Sequence, residues 1–120
     1  MAIESYALWD KVSEIALSLP GVYEDTCFNT PAYYTGKKFF VRLKEDGEAI
    51  ALYNNDRDEW IASDADVYFI TDHYKNYPML LVDLKRVPVK HLRTLVVNAW
   101  KLRASKKDIQ LFESGNASGL

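Results

Sequence analysis

The spacing of the apolar residues changes twice along this chain, and this change constrains the fold more than any other feature. Residues 4–19 and 89–105 carry apolar side chains at helical spacing, whereas residues 38–44 alternate from one side to the other. A period of about 3.6 residues predicts an amphipathic helix, and alternation predicts a half-buried strand. The sequence therefore predicts a helix near each end and strands between them.

Turn residues such as Gly36 and Gly47 divide the centre of the chain, and a short helix is predicted to end near residue 63. The predicted strands cover residues 27–34, 38–44, 48–53, 67–71 and 79–84. Short turns between strands favour a mostly antiparallel sheet. We predict an α+β two-layer sandwich with the N- and C-terminal helices on one face of that sheet.

The length of 120 residues is enough for one core, and we predict a single domain over residues 1–112. The stretch 113–120 consists of Glu, Ser, Gly, Asn and Ala until Leu120, and it is predicted to be a disordered tail. The one cysteine, Cys27, excludes an intramolecular disulfide, and the N-terminal residues lack a signal-peptide pattern. No apolar run approaches the roughly 20 residues that cross a bilayer. We expect a cytoplasmic monomer without membrane contact.

Charge is strongly separated along the chain. The formal net charge is −2, but residues 84–107 hold eight basic and no acidic side chains, whereas residues 1–83 hold seven basic and fifteen acidic ones. Such an asymmetry can orient a molecule toward an anionic partner. It does not by itself identify that partner.

The last predicted helix offers one candidate nucleic-acid surface. Lys90, Arg93 and Lys101 fall on the face opposite its apolar stripe, and Lys85 and Arg86 precede it. Exposed helix faces are commonly basic, and the helix dipole stabilises cations near a C-terminus without any partner. The absence of acids over 24 residues favours the functional interpretation.

The strand at residues 38–44 offers a second candidate surface. Phe40 is predicted to lie on the same side as Lys38, Arg42 and Lys44, away from Phe39, Val41 and Leu43. An exposed aromatic ring between cations can stack on bases while the cations hold phosphates. We favour the alternative that Phe40 packs under a helix or against Tyr53.

No motif for covalent or metal chemistry stands out. Cys27, His73 and His91 have no spacing that links them as a nucleophile with its base or as zinc ligands. We therefore predict no catalytic residues, no metal site and no cofactor. Sites built from scattered residues have no local sequence motif, so an enzyme remains an alternative.

Several fragments together resemble the MmcQ/YjbR family of small bacterial proteins. They are LPGVYE at residues 19–24, FNTPAY at 28–33, GKKF at 36–39, HY at 73–74, LVDL at 81–84 and AW at 99–100. The resemblance spans nearly the whole chain to about residue 107. One departure is the segment 77–79, Tyr-Pro-Met, where many members carry a tryptophan.

The resemblance implies a CyaY-like, frataxin-related α+β fold and DNA binding by β-hairpins. The resemblance implies no catalytic residues. The relation to frataxin raises iron binding, but Glu4, Asp10 and Glu14 of the first helix are a poor match to an acidic iron-binding ridge. Our prediction is a non-enzymatic protein that binds nucleic acid. The alternative is a protein–protein adaptor that uses the exposed sheet face. A sequence pI of 5.6 argues against strong affinity for DNA.

Overall fold

A computed structural model describes the backbone of residues 2–118 and the side chains of residues 8–114. A 3-10 turn at Asp72–Tyr74 lies between the last two strands. The helices and strands are α1 (Ala2–Leu17), β1 (Val22–Cys27), β2 (Thr30–Thr35), β3 (Lys38–Leu43), β4 (Ala49–Tyr53), α2 (Arg57–Ser63), β5 (Tyr68–Phe69), β6 (Met79–Asp83), α3 (Val89–Arg103) and α4 (Lys106–Ser118).

In the described part of the chain, six strands form one sheet in the order β1-β2-β3-β4-β6-β5. All neighbouring strands pair antiparallel, and β1 to β4 form a meander because short turns connect them. Helices cover one face of the sheet, where α1 and α3 pack on each other and on the strands. This arrangement confirms the predicted α+β two-layer sandwich.

The meander contains one strand more than the sequence predicted. The predicted strand at residues 27–34 corresponds mainly to β2. The strand before it, β1, ends at Cys27 and is joined to β2 through Phe28 and Asn29. Both residues have positive φ angles, 53° and 65°, as in a two-residue type I′ hairpin turn. The separate strand β1 was missed because it is an edge strand whose side chains are largely exposed and polar, which removes the apolar alternation.

Replacing Asn29 with glycine is expected to raise the free energy of unfolding by about 0.5–1 kcal/mol, because glycine adopts a positive φ without steric cost. Asn29 is exposed, so the substitution removes no packing. Urea denaturation followed by circular dichroism measures the change. An unchanged or lower stability would contradict a type I′ turn at this position.

The main core lies between the helices and the sheet. Trp100, Leu92 and Leu95 of α3 are fully buried there, as is Val12 of α1. Burial of large, mostly apolar side chains is the dominant stabilising contribution in a domain of this size. The helical stripes that the sequence predicted therefore form the core-facing surfaces of α1 and α3.

A β-bulge interrupts the alternation that the sequence predicted for β3. Tyr34 pairs with Phe39 and Tyr33 pairs with Val41, which leaves Phe40 as an extra residue. Phe40 and Val41 therefore both lie in the main core, while Phe39 packs in the smaller cluster on the opposite face of the sheet. The predicted common face of Phe39, Val41 and Leu43 was therefore wrong at Phe39. The hypothesis of an exposed Phe40 was wrong too, and the alternative that Phe40 packs under a helix is confirmed.

The C-terminal residues form a helix that the sequence did not predict. The Asp108 amide donates a hydrogen bond to Ser105 Oγ at 3.1 Å, so Ser105 caps α4. The Phe112 ring then meets the Trp100 ring edge-on at 5.3 Å, which attaches α4 to the core. α4 continues to Ser118, through most of the predicted disordered tail at residues 113–120, and residues 119–120 lie outside the described range.

No helix among the described residues is both long and apolar enough to cross a membrane. The longest, α1, contains 16 residues and carries charges such as Asp10, Lys11 and Glu14. A spanning helix needs about 20 predominantly apolar residues.

Candidate binding surfaces

The basic face of α3 is exposed. Lys90, Arg93 and Lys101 project away from the core, and none of them forms an ion pair with a side chain in the described part of the protein. The Lys101 ammonium lies 5.7 Å from the centre of the Phe112 ring, within the range of a cation–π contact. These three cations are therefore available to an external anion.

α4 converts this face into a groove, which we call the α3–α4 groove. Its volume is about 340 Å³, and its lining contains two cations, an amide and a hydroxyl, but no carboxylate. The lining residues are Arg93, Thr94, Val97, Asn98, Lys101 and Phe112. A concave basic surface without acids concentrates positive potential.

The two cations that precede α3 are less available. Lys85 Nζ lies 2.8 Å from Glu48 Oε1, and this hydrogen bond raises the pKa of Lys85. Arg86 Nε lies 3.8 Å from Asp83 Oδ2. Each charge already has an acidic neighbour, so these residues do not extend the free basic face.

The four residues of the strand surface predicted around Phe40 do not form one exposed surface. Phe40 is completely buried and only 3% of Arg42 is exposed, so neither residue forms part of an exposed surface on which a nucleic acid could lie. Lys44 forms an ion pair with Glu45 at 3.4 Å and lies 5.2 Å from the Tyr74 ring. Lys38 remains exposed at the start of β3. The bulge in β3 and the inward course of Arg42 separate residues that strict alternation placed together.

The face of the sheet opposite the main core, which we call the open sheet face, carries a row of aromatic rings. Tyr23, Tyr34 and Phe39 occupy paired positions on β1, β2 and β3, and Tyr53 of β4 follows Phe39. The successive ring centres lie 5.7, 6.3 and 5.5 Å apart, which is the range of favourable aromatic contacts. Arg103 completes the row, because its guanidinium lies 4.0 Å from the centre of the Tyr53 ring.

Next to this row lies a hollow that we call the aromatic pocket. Its volume is about 270 Å³. It is lined by Phe28, Phe39, Tyr53, His73, Tyr74, Tyr77 and Met79. Phe28 and Tyr77 are more than half exposed, although large rings of this kind are usually buried. Five of the seven lining residues are Phe or Tyr, so the pocket suits a flat, apolar ligand.

The Arg42 guanidinium is not part of the pocket lining, but it contacts two residues that are. The Phe28 ring lies 4.9 Å from Arg42 Cζ, and Arg42 Nη2 lies 3.4 Å from the Tyr74 hydroxyl. Arg42 Nη1 is well satisfied, since it donates to Thr30 Oγ1 at 2.9 Å and to the Leu43 carbonyl at 3.2 Å.

The remaining donors of Arg42 are poorly satisfied. Among the described residues, Nη2 makes only long contacts of 3.4 Å, to Tyr74 and to both carboxylate oxygens of Glu45, and the buried Nε has no hydrogen-bond partner. Burial alone lowers the pKa of Arg42, but the hydrogen bonds and charges of Tyr74 and Glu45 raise it above its usual value. The group is therefore a buried cation with an unused donor.

Arg57 holds one wall of the aromatic pocket in place. Its guanidinium, at the start of α2, donates to backbone carbonyls of the segment that connects β5 to β6 and of the first residue of β6. The accepting carbonyls belong to Tyr74, Lys75, Tyr77 and Met79. A guanidinium has five donors spread over a planar fork and can join several carbonyls in this way, whereas the three donors of a lysine share one nitrogen.

The three residues considered for covalent or metal chemistry lie in different surroundings. His91 Nδ1 is hydrogen-bonded to the Tyr68 hydroxyl at 2.9 Å, and its ring contacts Trp60. His73 lines the aromatic pocket and meets the Tyr74 ring edge-on. Cys27 lies in β1 at the hairpin turn and is half-buried.

With a six-stranded antiparallel sheet and helices on one face, the fold is that of a small α+β protein. The chain belongs to the YjbR family, whose model matches residues 17–102. A solved structure of the Deinococcus radiodurans protein DR2400, with a DUF419 domain, is similar with a TM-score of 0.71. The two chains are 16% identical, and the match covers 85% of each, so this likeness concerns the fold.

Two curated mycobacterial proteins are related in sequence. They are the uncharacterized proteins Rv2570 of Mycobacterium tuberculosis and Mb2600 of Mycobacterium bovis, each 36% identical over 72 residues. The matched segment covers 60% of this chain and 50% of each relative, so the chain spans about half their length. Their names state no ligand or activity.

Proposed function

We propose that this protein of the YjbR family is a non-enzymatic protein that binds duplex nucleic acid through the α3–α4 groove and the basic face of α3. One observation carries the proposal. Arg93 and Lys101 line a groove without a carboxylate, and neither is ion-paired within the described chain. Lys90 extends the same exposed face toward the start of α3.

The chemistry of the groove suits phosphate groups better than base edges. Arg93 and Lys101 supply charged donors, and Thr94 and Asn98 supply neutral donors beside them. Contacts of this kind position a protein on the duplex without distinguishing its sequence. The formal charge of −2 implies weak binding, since the acidic part of the chain repels phosphates that come within about 8 Å at physiological salt.

The proposal predicts a specific salt dependence. If Lys90, Arg93 and Lys101 neutralise about three phosphates, log K falls against log salt concentration with a slope near −3. The double substitution Lys90→Ala and Lys101→Ala is expected to bring that slope to about −1, because each lost contact releases about one counterion fewer. Fluorescence anisotropy of a labelled duplex over a salt series measures both slopes.

A matched control separates a local groove from the overall charge. The double substitution Lys85→Ala and Arg86→Ala also removes two cations, but both already lie beside carboxylates. We expect the slope of this variant to stay within about half a unit of the parent. Equal slopes for the two double variants, or a parent protein without salt-dependent binding, would refute the proposal.

A further inference from the structure

The aromatic pocket shares no lining residue with the α3–α4 groove, and its dimensions suit a small molecule. An apolar cavity of about 150 Å³ is enough to hold benzene. The pocket measures about 270 Å³, which leaves room for one aromatic ring with a substituent. Phe28 and Tyr77 form exposed parts of its lining, so a ligand can reach it from solvent.

Arg42 determines which substituent fits best. The Nε–H and Nη2–H bonds of a guanidinium point along the same edge, and a carboxylate can accept both at once. In Arg42 this edge is the poorly satisfied one, with an unpartnered Nε and with Nη2 contacts no shorter than 3.4 Å. A buried charged donor without a partner favours any ligand that supplies an anionic acceptor.

Glu45 occupies part of that edge without filling it. Its carboxylate oxygens both lie 3.4 Å from Nη2, and the side chain is largely exposed to solvent. A carboxylate held at that distance in water is bound weakly. It can therefore be displaced by a carboxylate that approaches from the pocket.

The Phe28 ring lines the pocket and also contacts the Arg42 guanidinium. A φ of 53° is strained for phenylalanine, and hairpin turns of this type favour asparagine and glycine at such positions. In this turn conformation the exposed ring lies 4.9 Å from Arg42 Cζ. Strained residues that persist at a pocket are characteristic of ligand contacts.

We propose that the aromatic pocket binds a small planar aromatic carboxylate, with its ring against Phe28 and Tyr77 and its carboxylate on Nε and Nη2 of Arg42. The ligand carboxylate takes the place of Glu45 at Nη2. The site lies on the open sheet face and does not depend on the α3–α4 groove.

Isothermal titration calorimetry with cinnamate tests the proposal on the full chain. Cinnamamide is the matched probe, because it has the same shape without the charge. We expect cinnamate to bind with a dissociation constant below about 1 mM. We also expect it to bind at least about tenfold more tightly than cinnamamide, because only the acid forms charge-assisted hydrogen bonds with Arg42.

Surface substitutions locate the ligand without disturbing the core. Tyr77→Ala is expected to weaken cinnamate binding about fivefold, because it removes one ring contact. Tyr23→Ala is the control, because Tyr23 is a similarly exposed ring on the open sheet face but lies outside the pocket. We expect its effect to stay below about twofold.

Two further substitutions test the charge. Glu45→Gln is expected to tighten cinnamate binding about threefold and to leave cinnamamide unchanged, because it removes a competing carboxylate from an exposed position. Arg42→Gln is expected to abolish the preference for the acid, and near-ultraviolet circular dichroism checks that this variant is folded. If Arg42→Gln does not fold, Glu45→Gln still reports on the same contact.

Three results would overturn the proposal. The first is equal affinity of the parent for cinnamate and cinnamamide, including no binding of either. The second is an equal loss in Tyr23→Ala and Tyr77→Ala, which would indicate nonspecific adhesion to exposed rings. The third is loss of cinnamate binding in the double variant with Lys90→Ala and Lys101→Ala, which would place the ligand at the α3–α4 groove.

Discussion

Replacing Trp100 with alanine is expected to lower the free energy of unfolding by about 3–5 kcal/mol. The indole is completely buried in the main core, and its ring contacts Phe112 of α4 at 5.3 Å. The substitution therefore opens a cavity and also weakens the attachment of α4. Urea denaturation followed by far-ultraviolet circular dichroism measures the change.

Leu102→Ala provides the matched control. Leu102 lies in the same helix, two residues further on, but 42% of it is exposed. We expect a change within about 0.5 kcal/mol, since alanine is the better helix former and little packing is lost. If Trp100→Ala unfolds at the same urea concentration as the parent, the ring does not hold the core together.

The sequence predicted the core-facing helices well, because a helical stripe depends only on local spacing. Leu92, Leu95 and Trp100 repeat at the period of α3, and each is buried as that period requires. α4 was missed although Ser105 and Asp108 form a recognisable start signal three residues apart. The small residues after Phe112 concealed the rest of that helix.

The course of β3 could not be predicted from alternation alone. One extra residue in a strand changes the face of the sheet to which all later side chains point. In β3 this extra residue is Phe40. Its position depends on the pairing of β3 with β2, where Tyr33 opposes Val41 and Tyr34 opposes Phe39. Only the register between strands contains this information, and a single sequence does not reveal it.

The two binding surfaces differ in how far the sequence could indicate them. Lys90, Arg93 and Lys101 lie on one helix, so helical spacing was sufficient to place them on one exposed face. The aromatic pocket combines Phe28 from a hairpin turn with Tyr77 from a distant loop. Tertiary structure alone brings these residues together, and their only local signal is an aromatic ring in a turn where hairpins favour asparagine.

The second large effect is expected at Arg57. No sequence pattern indicated this residue, because it lies between Asp56 and Asp58 in an acidic segment. Replacing Arg57 with alanine is expected to lower the free energy of unfolding by about 2–3 kcal/mol. The substitution leaves the carbonyls of Tyr74, Lys75, Tyr77 and Met79 without their charged donor. Water can reach the more exposed of these carbonyls, so the loss is smaller than the sum of four charged hydrogen bonds.

Urea denaturation measures the total loss, and amide hydrogen exchange shows where it occurs. We expect exchange to accelerate most in residues 70–78, because Arg57 fixes this segment to α2. Arg57→Lys is the matched variant, because it keeps the charge but not the planar arrangement of donors. It is expected to restore less than about half of the lost stability. If Arg57→Lys matches the parent in stability and in exchange, charge alone holds this wall of the aromatic pocket, and the hydrogen bonds to the four carbonyls contribute little.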